Sequence, residues 1–169
     1  QYFIDWESQI PFSGNWFYNG PGVLPVDTMI ARYYESVGRG ANLIANFAPD
    51  TRGMMPDKVV ASALEFGNAL RKRFGRRIKE ISGGRSLLLD LGKKTPIRNI
   101  VLMEDLKEGQ KVAAFEIAIK KTKGWETIYK GQTIGHKCII PVNVETDEVR
   151  FTCTKAVGDG VKIREFAVF

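Results

Sequence analysis

At about Ser86 the spacing of apolar side chains changes from 3.6 residues to 2, and this change limits the folds open to the chain. Before it, Met29, Ile30, Tyr33, Tyr34 and Val37 recur at helical spacing, with Asp27 or Thr28 able to cap the start. Pro56 and Asp57 open a second helix running to about Phe74. Its expected inner face is Val60, Ala63, Leu64, Gly67, Leu70 and Phe74, with Gly75 as the stop. Between the helices, Gly38 and Gly40 punctuate the chain and Asn42–Phe47 is a short apolar run, the pattern of a strand buried on both faces. After the change, seven segments read as strands: 86–91, 97–103, 111–119, 125–130, 134–140, 149–153 and 161–169. Gly-containing turns separate most of them. The pattern predicts an α+β chain: two helices and one buried strand, then an antiparallel β-sandwich. The parts are residues 1–78 and 79–169, and Arg76–Gly84 is read as the linker.

Charge follows the same division. Residues 1–75 carry 7 basic and 7 acidic side chains, so the net +6 belongs to the second part. A basic half raises the question of nucleic acid. The lysines are scattered and no nucleic-acid signature occurs, so a solvated basic surface is expected. The one dense cluster, Arg71, Lys72 and Arg73 with Arg76 and Arg77, falls at a predicted helix end, where cations complement the dipole. No apolar run approaches the ~20 residues that span a membrane, so no membrane partner is expected. Two cysteines, Cys138 and Cys153, are too few for a disulfide framework and lack metal-ligand spacing. His136 is the only histidine and has no companion ligands. Neither a metal nor another cofactor is expected.

The first 24 residues are rich in aromatics, with Tyr2, Phe3, Trp6, Phe12, Trp16, Phe17 and Tyr18 set among prolines and glycines. Such a loop region closes a core or lines a binding surface. The order helix, strand, irregular loop, helix over residues 27–74 is the repeating unit of an α/β barrel or layered sheet, and ligands bind there at the carboxyl ends of strands. Asn46 and Asp50 follow the predicted strand and serve either as pocket groups or as loop braces. A complete barrel takes about 250 residues, more than the 169 of this chain. The opening Gln1-Tyr2-Phe3-Ile4 reads as the middle of a longer polypeptide.

Asp5-Trp6-Glu7, the Trp16-Phe17-Tyr18 triplet nine residues after Glu7, and Ser36-Val37-Gly38-Arg39-Gly40-Ala41-Asn42-Leu43-Ile44-Ala45-Asn46-Phe47-Ala48-Pro49-Asp50-Thr51-Arg52-Gly53 occur in one order. Together they resemble the end of the catalytic domain of glycoside hydrolase family 29, the α-L-fucosidases. Leu102–Val112, Gly124-Trp125, Gly131–Lys137 and Ile163–Phe166 resemble the C-terminal discoidin-like sandwich of one bacterial-type branch. Gly40 and Ala45 depart from the family pattern, which has Asn and Leu there.

The resemblance implies the remnant of a (β/α)₈-type barrel joined to a jelly-roll, discoidin-like sandwich. It implies a fucosylated glycan as partner, with a missing N-terminal barrel portion or self-association completing the fold, in a secreted or periplasmic parent. Retaining glycosidases use two carboxylates, one as nucleophile and one as acid/base. An acid/base needs a raised pKa, which a desolvated aromatic setting supplies. Glu7 matches the family's acid/base position, with Asp5 as runner-up, and both should lie in a loop reaching the carboxyl-end face. Trp6 and Trp16 are the candidate sugar-stacking residues. The family's nucleophile is an Asp upstream of these residues, so the chain alone is expected to be inactive. The competing reading is a glycan-binding sandwich supported by its N-terminal segment, for which Trp125 and Tyr129 are the available aromatics.

Overall fold

A computed structural model describes residues 7–20 and 22–169. Two compact units divide between Gly75 and Arg76.

In the first unit, strand β1 (Glu7–Pro11) leads through helix α1 (Val26–Glu35) and a 3₁₀ turn (Val37–Arg39) to strand β2 (Asn42–Asn46). The two strands are parallel, with Glu7 opposite Asn42 and Pro11 opposite Asn46. Helix α2 (Asp57–Phe74) follows. Gly40 sits at φ 88°, in the left-handed region that ends the turn before β2. Helix α1 begins at Val26 after Pro25, with no side-chain cap, so Asp27 lies in the first turn, where its charge complements the helix dipole.

The small core centres on Phe12, which stacks on Phe47 at 4.6 Å between ring centroids and meets Phe66 edge-on at 5.7 Å. Ile10, Met29 and Val59 are buried around it. Four sequence expectations need correction here. Glu7–Pro11 is a strand rather than part of a loop region. The buried face of α2 is Val59 and Ser62, with Ala63 and Phe66 beside them, while Val60 and Leu64 point to solvent. Apolar residues occupy two stripes of this helix, and periodicity alone does not choose between them. Strand β2 exists, but Ile44 is 39% exposed, so it is not buried on both faces. Gly75 has φ −71°, in the right-handed region, and so is not the left-handed helix stop expected of it; a side chain there would strike the Arg71 carbonyl.

The second unit is one six-stranded antiparallel sheet. Its strands are β3 (Lys79–Gly83), β4 (Ser86–Glu104), β5 (Val112–Lys121), β6 (Gly124–Gly131), β7 (Cys138–Ala156) and β8 (Ile163–Val168), in the order β3-β8-β4-β7-β5-β6. A straight 19-residue strand would run ~60 Å, yet a 100-residue domain has a radius of gyration of only about 13 Å. Both β4 and β7 therefore bend, and their pairing shifts register at Asp90/Thr95 and Ile97/Asn99. Bending folds one face of the sheet onto itself as a sandwich. Leu87, Leu89, Ile100, Leu102, Phe115, Ile117, Val149, Phe151 and Phe166 then share a single core.

The predicted strands 86–91 and 97–103 are thus two halves of β4. The predicted linker holds strand β3, an edge strand whose five residues are all exposed and which therefore shows no alternation. Cys138 and Cys153 are buried thiols, and burial pushes the Cys153 thiol up from its ordinary pKa.

Candidate functional site

The carboxyl ends of β1 and β2 are where a parallel α/β arrangement presents loops to ligands. The loop after β1 carries Trp16, 47% exposed, and Phe17, 79% exposed. Asn46 closes β2, and its side-chain N–H donates to the Trp16 carbonyl oxygen at 2.7 Å. The loop after β2 is built by Asp50. Its carboxylate accepts from the backbone N–H groups of Arg52 and Met54 at 2.9 and 3.2 Å. It also accepts from the Arg52 guanidinium, Nε at 3.0 Å and Nη2 at 2.7 Å. These bonds, the Arg52 side chain's foremost, hold the Asp50 carboxyl below the ordinary aspartate range. The tight loop leaves Met54 and Met55 exposed.

Of the two roles open to Asn46 and Asp50, the geometry supports bracing. Asn46 donates to loop backbone, and both Asp50 oxygens accept from loop backbone or from Arg52. Trp16 lies at the carboxyl end, where a sugar-stacking ring would be needed. Glu7 does not. It opens β1 and is exposed, ~13 Å along the strand from Pro11. The expectation that Glu7 sits in a loop at the carboxyl-end face is therefore corrected: it stands at the amino end of its strand. Asp5 and Trp6 lie outside the described residues. Sequence reasoning passed over Arg52, although a charged residue inside an Asp-x-x-Gly turn after a strand was the signal available.

The second unit presents two further features. A cleft of about 410 Å³ is lined by Gly83, Gly84, Asp105, Val161, Lys162 and Arg164, with no aromatic ring in its wall. On the opposite edge, the Arg150 guanidinium covers the Trp125 ring at 4.2 Å and the Lys120 ammonium lies 5.2 Å from it. Tyr129 packs on Phe115. Both aromatics proposed for a glycan-binding sandwich are thus engaged within the fold. Among the described residues, no three His, Cys, Asp or Glu side chains gather as a metal site requires.

No family model matches the chain. A candidate α-L-fucosidase 1 of Oryza sativa subsp. japonica is 24% identical over 173 residues, covering 79% of this chain and 34% of the rice protein. The solved structure of a candidate α-L-fucosidase from Bacteroides thetaiotaomicron is 30% identical with a TM-score of 0.87. It covers 94% of this chain and 38% of that protein. A family 29 fucosidase of Ruminococcus gnavus, solved with fucose, shares the fold at 18% identity and a TM-score of 0.86 over 96% of this chain and 40% of its own. The chain spans little more than a third of the length of these relatives. The matches run through both units in order, and the chain is similar to the C-terminal portion of α-L-fucosidases, with the fold of that portion in glycoside hydrolase family 29.

Proposed function

We propose that these 169 residues work as part of a retaining α-L-fucosidase that removes α-linked L-fucose from glycans. The observation that carries this is the 30% identity to the Bacteroides α-L-fucosidase over 94% of the chain, at a TM-score of 0.87. In this reading, residues outside the 169 supply the nucleophile and the remaining barrel strands. Trp16 offers its ring to the apolar face of the sugar. Trp6 is the second stacking candidate. The parent is a secreted or periplasmic protein.

The test compares two purified proteins on an aryl α-L-fucoside: the 169 residues alone and the longer polypeptide that contains them. Turnover by the longer protein alone is expected. Turnover by the 169 residues would overturn the external nucleophile, and silence of the longer protein would overturn the fucosidase assignment.

Two lines of reasoning bear on the acid/base and point opposite ways. Sequence resemblance favours Glu7. Its position at the amino end of β1 favours a structural role, because proton transfer needs a group within about 3 Å of the leaving oxygen. The second argument is the stronger, since it rests on reach. Glu7→Gln in the longer protein is therefore expected to keep its rate within about tenfold of the parent, whereas loss of a general acid costs about 10² to 10⁴. A loss of that larger size, partly rescued by azide in the deglycosylation step, would restore Glu7. If Glu7→Gln is tolerated, Asp5→Asn is the next substitution to make.

A further inference from the structure

We infer that Arg52 is a recognition residue that donates hydrogen bonds to an oxygen of the saccharide carrying the fucose. The inference rests on the α-L-fucosidase reading above and adds to it a contact on the leaving-group side. Arg52 stands in the loop after the carboxyl end of β2. Asp50 is only 8% exposed at its side chain, while Arg52 is 69% exposed. Through Nε and Nη2 the guanidinium is fixed against the Asp50 carboxylate. A guanidinium is planar, so Nη1 lies on the edge turned from that carboxylate and keeps its N–H donors for another acceptor.

With its guanidinium open to solvent, this ion pair contributes little to stability. The loop does not require it either, because the backbone N–H groups of Arg52 and Met54 already bond to Asp50. What the clamp achieves is orientation of a charged donor. A pre-oriented fork loses less freedom per hydrogen bond formed than a free side chain does.

The surroundings suit a saccharide. Besides Asp50, the Asp57 carboxylate and, more weakly, the Tyr18 hydroxyl are near enough to act on the Arg52 charge. Trp16 and Phe17, the residues before Tyr18 in the same loop, expose their rings, and Asn46 anchors that loop to the end of β2. Aromatic faces beside a fixed polar donor match a sugar ring, which presents C–H groups on one face and hydroxyls at its rim. A bare fucoside with an aryl leaving group has no second sugar and lacks that acceptor.

The experiment measures kcat/KM of the longer enzyme on a neutral fucosylated trisaccharide and on an aryl α-L-fucoside, for the parent, Arg52→Ala and Arg52→Lys. The ratio of the two values should fall about 10- to 100-fold in Arg52→Ala, the range for one charge-assisted hydrogen bond. The fall should appear mainly in KM for the trisaccharide, and Arg52→Lys should recover only part of it. An unchanged ratio, whether both activities fall together or neither does, overturns the inference. Should the parent enzyme act on neither substrate, the fucosidase reading fails on that result alone. The Arg52 inference is then decided by the Nε–H resonance of Arg52 in the 169-residue chain, titrated with the same trisaccharide. A saturable shift supports it, and an unmoved resonance in a folded chain overturns it.

Discussion

The two units handle apolar surface in opposite ways. In residues 76–169 the sheet bends onto itself, and 19 buried residues form one cluster, with Ile97, Ile100, Leu102, Ile117, Val149, Phe151 and Phe166 fully enclosed. Among the described residues of the first unit, only Ile10, Phe12, Met29 and Val59 form the buried cluster. Trp16, Phe17, Ile44, Met54, Met55, Val60 and Leu64 are exposed in the same unit. Large apolar side chains left in solvent are the surface that association or further chain would cover. The strand pair β1–β2 adds a second sign, since parallel strands ordinarily lie in sheets covered on both faces. One unit is finished by its own chain. The other leaves large apolar side chains in solvent beside a two-stranded parallel sheet.

That contrast can be broken at its strongest point. Phe151 is fully buried and meets Phe115 and Phe166 at 5.8 and 6.0 Å between ring centroids. Phe151→Ala should cost about 3–5 kcal/mol, read by chemical denaturation of the intact chain. A cost below 1 kcal/mol would show that the sandwich core is far looser than its burial implies.

A smaller loss is expected at Glu104. This carboxylate is 1% exposed, and its Oε1 accepts from the backbone N–H groups of Lys111 and Val112 at 2.5 and 2.9 Å. It thereby closes the loop between β4 and β5 from inside. Glu104→Ala strands those donors and should cost about 1.5–3 kcal/mol. Glu104→Gln keeps an acceptor oxygen and should cost less. Oε2 has no partner among the described residues, so the amide replaces an atom that forms no bond in the fold. If the two variants are equally damaging, the negative charge rather than the acceptor holds the loop.

Hydrogen exchange compares the units directly. Amides of residues 42–46 should exchange at least about tenfold faster than those of 112–119 in a monomer, a gap of 1.4 kcal/mol. Equal protection in a proven monomer would mean that the first unit is complete as it stands.

The smallest effect belongs to Leu64, which is 60% exposed. Leu64→Ala should change stability by less than about 0.5 kcal/mol in this chain. A cost of the size expected for Phe151→Ala would reveal that this face is covered in solution, and sedimentation of the parent chain would then identify self-association.

Much of the architecture was legible because local chemistry and tertiary need agree. Asp57 to Phe74 is helical in both readings, and Met29 and Ile30 do face inward. Alternation found the inward residues Phe115, Ile117 and Ile119. Strand β3 escaped because an edge strand buries neither face and so has no pattern to show. The union of 86–91 with 97–103 escaped because the intervening Gly92, Lys93 and Lys94 are exposed and break the alternation. They lie at a bend in one continuous strand.

At the candidate site, the sequence by itself determined the ingredients: aromatic residues before helix α1, a short strand, and an Asp-x-x-Gly loop after it. It also carried the kinship with α-L-fucosidases, since that resides in residue order. Only the tertiary structure decided direction and end. Parallel pairing of β1 with β2 puts Glu7 opposite Asn42 and the Trp16 loop beside Asn46, so residues nine apart in sequence occupy opposite ends of the strand. It likewise decided that Val59 rather than Val60 enters the core of α2, and that Asp50 grips Arg52. Spacing along a chain fixes which side chains can share a face. Which face is buried, and which strand end meets a ligand, depends on partners distant in sequence, and those are set only when the chain packs.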